Sequence, residues 1–180
     1  AGGRVGEGVF GGDRRRRAGG VPSWCDLVPE HAPERVIESL AGALAGAGIR
    51  SIRGRLLVDA ARFDRVGVHP DWPAGQLQAR HCAPVGGLAM ARSCVRVVVT
   101  APDEPQRPVQ VRLEPPGSGL AVLARARTVA SAAEARPLVG RQGAETLVVD
   151  GRFLKGTTTS AEGAVADPVL FAARVLAAGL

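Results

Sequence analysis

The chain has 180 residues, 46% hydrophobic and 3% aromatic, with a net charge of +6. That length suits one domain, or a domain with a small one nested in it, and no apolar run approaches the ~20 residues a membrane-spanning helix needs. The positive charge is almost all arginine, dispersed except for a run at 14–17; without stacking aromatics or a groove-reading helix it reads as solvated surface charge, so no nucleic-acid partner is expected.

Residues 1–29 are glycine-rich and show no sustained periodicity, which reads as loop or as a frayed edge strand around 5–10, with a turn at Gly11-Gly12-Asp13. The spacing of Val36, Ile37, Leu40, Leu44 and Ala47 predicts a helix over 33–47, with Pro33 at its first position and Gly48 as its stop. Residues 52–59 then read as a strand. The run Leu56-Leu57-Val58 suggests burial on both faces.

A long connection over 59–84 follows, with prolines at 70, 73 and 84 and a predicted turn at Asp71-Trp72-Pro73 around a partly buried indole. Cys94, Val95, Val97, Val98 and Val99 predict a strand over 94–100, and the proline-rich segment 101–108 a hairpin loop. Val109, Val111 and Leu113 alternate with Gln110 and Arg112 as a half-buried strand does. Residues 120–128 read as strand or helix. Short strands are predicted at 146–149 and, after a turn at Asp150-Gly151, at 152–154. Asp167 as N-cap and Pro168 at the first helical position open a second helix, whose stripe is Leu170, Phe171, Val175 and Leu176. That helix closes Ala178-Gly179-Leu180 as the first closes Ala47-Gly48-Ile49, which suggests a cut within a longer protein.

The residues offer little chemistry of their own. Three cysteines, Cys25, Cys82 and Cys94, with no Cys-x-x-Cys spacing, do not make a zinc site. Cys82 and Cys94 are either a disulfide or buried thiols. His69 and His81 have no carboxylate or cysteine at ligand spacing, so no metal or other cofactor is expected. No serine is followed three residues on by lysine, there is no asparagine anywhere, and Lys155-Gly156-Thr157 reads as a turn. Asp59, Asp64, Asp71 and Asp167 are isolated acids of the sort that cap and solvate. Catalysis by this chain alone is not expected.

The order of features carries more. A helix ending Ala-Gly-Ile leads to Ile52-Arg53-Gly54-x-Leu56-x-Val58-Asp59-x-x-x-Phe63. Then come Asp71-Trp72-Pro73, Cys82-Ala83-Pro84-Val85-x-x-Leu88, the strand from Cys94, and Ala164-Val165-x-Asp167-Pro168 before a last helix. From residue 33 to 180 this resembles the middle region of the D-alanyl-D-alanine carboxypeptidase/endopeptidase family, the class C low-molecular-mass penicillin-binding proteins. The N-terminal part matches less well, because Arg14 follows Gly11-Gly12-Asp13 where that family usually has proline.

The resemblance implies an α+β fold: a small sheet flanked by helices over 33–90 and 145–180, a nested β-rich subdomain over 91–144, and a poorly defined segment over 1–32. It implies a module inserted in a serine-type enzyme that cleaves D-Ala-D-Ala bonds of peptidoglycan, with Ser-x-x-Lys before this region and Ser-x-Asn and Lys-Thr-Gly after it. It implies a peptidoglycan stem peptide and the rest of a parent polypeptide as partners. The implied location is periplasmic or otherwise extracytoplasmic, although the N-terminus shows no apolar signal-peptide core. It also implies that Asp59 and Phe63 help line the pocket for the free amino end of the stem peptide. A carboxylate pairs with an ammonium, and a ring covers its aliphatic stem. The plainer reading leaves Asp59 capping a strand end and Phe63 filling the core. Two other functions stay open, a non-catalytic binding module and an arginine-rich nucleic-acid-binding domain.

Overall fold

The computed structural model describes residues 8–9, 33–64 and 66–180. The Gly11-Gly12-Asp13 turn, the arginine run at 14–17 and Cys25 lie outside them.

Helix α1 spans Pro33–Gly46 and ends as the glycine predicts. Gly48 has φ +81°. The Ile49 N–H reaches back to the Leu44 carbonyl and the Gly48 N–H to that of Ala45, both at 3.0 Å, the two bonds that close a helix through a left-handed residue. From there to residue 93 the described residues run irregularly, with short 3-10 turns at Ala74–Gln76, Arg80–Cys82 and Ala91–Ser93.

The predicted strand over 52–59 is not formed. Among the described residues no strand pairs with it, and Leu56 and Leu57 are 48% and 83% exposed. An apolar run states a demand for burial, but a strand also needs a ladder partner. The turn falls earlier than the expected 71–73, over 69–72, with the Trp72 N–H on the His69 carbonyl at 3.1 Å and the indole half-buried.

Among the described residues eight strands follow one another as β1 Gly8–Val9, β2 Cys94–Thr100, β3 Gln110–Glu114, β4 Ala121–Ala124, β5 Arg127–Val129, β6 Arg136–Gln142, β7 Thr146–Leu154 and β8 Thr158–Ala164. They make two sheets. In the first, β1, β6 and β7 are antiparallel neighbours, and β4 and β5 run parallel to β7 along its other edge. In the second, β3, β2 and β8 are antiparallel, and 101–109 joins β2 to β3 as the predicted hairpin. The sheets meet at a corner where Pro108 bridges to Arg127 and the Thr128 N–H bonds the Arg107 carbonyl.

Residues 120–128 are thus two short strands rather than one element. The expected stop at Asp150-Gly151 is no hairpin either, because β7 runs through it as one nine-residue strand. Gly151 takes φ +83° inside that strand. Lys155-Gly156 does form the turn from β7 to β8.

Helix α2, Pro168–Gly179, closes the chain. The Asp167 carboxylate accepts the N–H groups of Val169 and Leu170 at 3.0 and 2.9 Å, the predicted cap. One buried cluster joins Val95, Val97 and Val99 of β2 with Leu147, Val149 and Phe153 of β7 and with Phe171, Ala172 and Val175 of α2. The fold is α+β. The ladders β2–β8 and β6–β7 both cross the boundary expected at 144/145. Strands of 91–144 thus share sheets and core with 145–180. Cys82 and Cys94 are both buried and both free thiols.

The outer face of the β3–β2–β8 sheet carries a matched charge network. Arg96 bonds Glu162 at 2.6 Å, Arg80 reaches the same carboxylate at 3.2 Å, and Arg112 bonds Glu114 at 2.5 Å. Burial alone would raise the Glu162 pKa, but the two guanidiniums outweigh it and hold the carboxyl below its ordinary value of 4.5. A depressed folded-state pKa means the pair stabilises fully above the unfolded value and is lost as pH falls through the folded one. The melting-temperature gap between wild type and Glu162→Gln is therefore expected to be widest near neutrality and to close on acidification below about pH 4.5. Thermal melts across that range check it, and a gap independent of pH would remove the pairing account.

Candidate functional site

The structure gathers three separate stretches, 58–68, 84–87 and the start of α2, around an open groove of about 900 Å³. Glycine makes their approach possible. The Val85 N–H bonds the Gly67 carbonyl at 2.8 Å, and a β-carbon at Gly67 would sit 2.7 Å from the Val85 oxygen. At Gly87 it would sit 2.9 Å from the Ala60 oxygen, and at Gly86 3.1 Å from Pro168 Cγ. A side chain at any of these positions would push apart walls that now touch.

Asp59 and Phe63 both line this groove. Phe63 is 60% exposed, so its ring is not core filling; Val66 and Val85, also on the lining, are 68% and 72% exposed. Asp59 Oδ1 accepts the Ala61 N–H at 2.9 Å, so the acid does cap its own turn. Asp64 and Asp167 join the same lining. Asp64 Oδ1 accepts the Val66 N–H at 3.2 Å, while Asp167 Oδ1 caps α2. In each acid Oδ2 has no hydrogen-bond partner among the described residues. The arrangement is three carboxylates, each steadied by backbone through one oxygen, beside an exposed aromatic and two exposed valines. Chemically it can hold a cation that carries an aliphatic stem.

Asp64 and Asp167 read as isolated acids in the sequence. Nothing local announces that residues so far apart share a wall with Asp59, and only the clustering of glycines at 67, 86 and 87 hints at close backbone approach.

The other polar candidates lie elsewhere. His69 and His81 are exposed and outside the groove. His69 Nδ1 accepts the Asp71 N–H at 3.2 Å. The same nitrogen lies 3.8 Å from the Asp71 carboxylate. The Cys94 thiol is pushed up to about 11, first by burial and then by Glu162, against smaller opposing effects of Arg92 and Arg80; it is a packed thiol at neutral pH rather than a nucleophile. Among the described residues no group of His, Cys, Asp and Glu could hold a metal ion, and no helix is long and apolar enough to cross a membrane.

The family comparison makes this a domain related to penicillin-binding proteins. The chain belongs to the D-Ala-D-Ala carboxypeptidase 3 (S13) family, whose family model matches residues 8–180. No curated protein matches it significantly. Among solved structures it is similar to penicillin binding protein 4 (dacB) from Haemophilus influenzae, with a TM-score of 0.61 and 20% identity over 84% of this chain and 34% of that one. A second structure of that protein, complexed with a β-lactam, gives a TM-score of 0.49 at 17% identity over 84% of this chain and 31% of that one. The chain thus spans about a third of the length of the solved protein it matches.

Proposed function

We propose that this chain is the accessory region of a serine-type D-Ala-D-Ala carboxypeptidase/endopeptidase working outside the cytoplasm on peptidoglycan, and that its groove receives the free ammonium end of a stem peptide. Asp59 pairs with the ammonium and Phe63 covers the aliphatic stem. The observation that carries this is the groove itself, where an acid with an unpartnered oxygen and an exposed ring share one lining. The nucleophile, its lysine and the remaining catalytic motifs belong, on this reading, to other parts of the parent polypeptide. The chain contributes recognition, not bond cleavage.

Two measurements test it. Incubated with a fluorescent penicillin, the chain should take up no covalent label; labelling would place the nucleophile inside it. A stem peptide with a free side-chain amine should bind the chain, and Asp59→Asn should weaken it about tenfold, the loss of one charge-assisted contact. The N-acetylated peptide should bind as weakly to wild type as the free peptide does to the variant. Equal affinity of wild type for free and acetylated peptides would sink the assignment.

A further inference from the structure

Strand register brings together three arginines that are scattered in the sequence. Arg152 on β7 is the ladder partner of Arg127 on β5 and of Arg136 on β6. Ladder partners project to the same face of a sheet, and all three are exposed. Neighbouring strands lie ~4.8 Å apart, so the three arginine positions form a single file about 10 Å long across the strands. Like charges set directly opposite one another cost stability.

Among the described residues no carboxylate pairs with the file. Arg127 Nη1 donates to the Gln106 carbonyl at 3.0 Å, and Arg136 Nη1 to those of Ala133 and Ala135 at 3.0 and 2.7 Å. These neutral oxygens orient the outer two guanidiniums and leave their other donors and their charge outward. The Arg152 side chain, in the middle, makes no hydrogen bond and no ion pair with any described residue. Asp150, one row along, has Oδ1 on the Gly151 N–H at 2.6 Å and forms no ion pair with the file. The other sheet of the same molecule answers Arg80, Arg96 and Arg112 with Glu162 and Glu114. Among the described residues one face matches its arginines and the other does not.

We infer that the Arg127–Arg152–Arg136 file is a docking site for a linear phosphodiester polymer. Guanidinium forks suit phosphate oxygens, and a single file suits a chain of anions better than a charged plane, which would also press against Asp150. The choice of a wall-associated phosphodiester over a nucleic acid rests on the extracytoplasmic reading above.

The test is a fluorescence-anisotropy titration of the whole chain with a labelled glycerol-phosphate oligomer across a salt series. Each phosphate contact on a flexible strand contributes about 0.7 to the slope of log K against log salt, so the expected slope is about −2. The variant Arg127→Gln/Arg136→Gln/Arg152→Gln should lose nearly all of that slope, with an unchanged or higher melting temperature because repulsion is relieved. The control Arg50→Gln/Arg53→Gln/Arg55→Gln removes the same net charge elsewhere and should retain it. Absence of binding, or equal loss in both triple variants, overturns the proposal. Tighter binding of an oligothymidylate overturns it in favour of nucleic acid and counts against the extracytoplasmic reading. Binding of phosphatidylglycerol vesicles without binding of the oligomer overturns it in favour of a membrane surface. The penicillin and stem-peptide results do not depend on any of these outcomes.

Discussion

Gly151→Ala is expected to lower the stability of the fold by about 2–5 kcal/mol, from two separate causes. Gly151 has φ +83°, a conformation that costs an L-residue roughly 1–2 kcal/mol. Its added β-carbon would also stand 2.1 Å from the Arg136 carbonyl oxygen, on the neighbouring strand. That oxygen is backbone and cannot swing aside, so β6 and β7 must part at the pair where Arg136 meets Arg152, an overpacking cost of about 1–3 kcal/mol. Gly143 separates the two causes. It has φ +67°, but a β-carbon there would meet nothing within 4 Å. Gly143→Ala should therefore lose only the conformational part, about 1–2 kcal/mol. Urea midpoints of the two variants compare them directly, and equal losses would show that the inter-strand contact is not as close as described.

The same residue shows why part of this fold was hard to read in advance. Asp150-Gly151 carries the letters of a hairpin turn, yet the glycine serves a close approach between strands and β7 continues through it. Elements whose signals are local were legible. Helix α1 with its glycine stop, α2 with its Asp167 cap, and the alternating β2–β3 hairpin each depend on residues near in sequence. β6 was hidden by Pro137 and Gly140, and β8 by its small residues. β8 is a strand because Ala161 and Gly163 fit against Val97 and Val95 of β2, and that fit belongs to the pair rather than to the segment.

The groove divides in the same way. Asp59 and Phe63, four residues apart, could be placed side by side. Asp64 and Asp167 looked like solitary caps, and caps they are. Their place on the common wall depends on glycines that let three segments close up. The arginine file lies at the far end of this scale. Arg127, Arg136 and Arg152 are surface charges until three strands are set in register, and no spacing rule along the chain would single them out.

Phe153→Ala should cost about 3–5 kcal/mol, while Leu57→Ala should stay within about 0.5 kcal/mol. In the sequence the two sites look alike, each an apolar residue in a run that reads as strand. In the fold they are opposites. Phe153 is 2% exposed at the centre of the cluster shared by both sheets and α2. Removing its ring leaves a cavity that the ladders on either side of β7 prevent from collapsing. Leu57 is 83% exposed, and its truncation removes contact mainly with water. Denaturant titrations of both variants in this 180-residue chain decide the matter. A loss of 2 kcal/mol or more at Leu57, the range of buried leucine truncations, would mean that 52–59 packs as the apolar run demanded. A negligible loss would mean that the demand goes unmet among the elements described, even though the same segment leads straight to the carboxylate of Asp59.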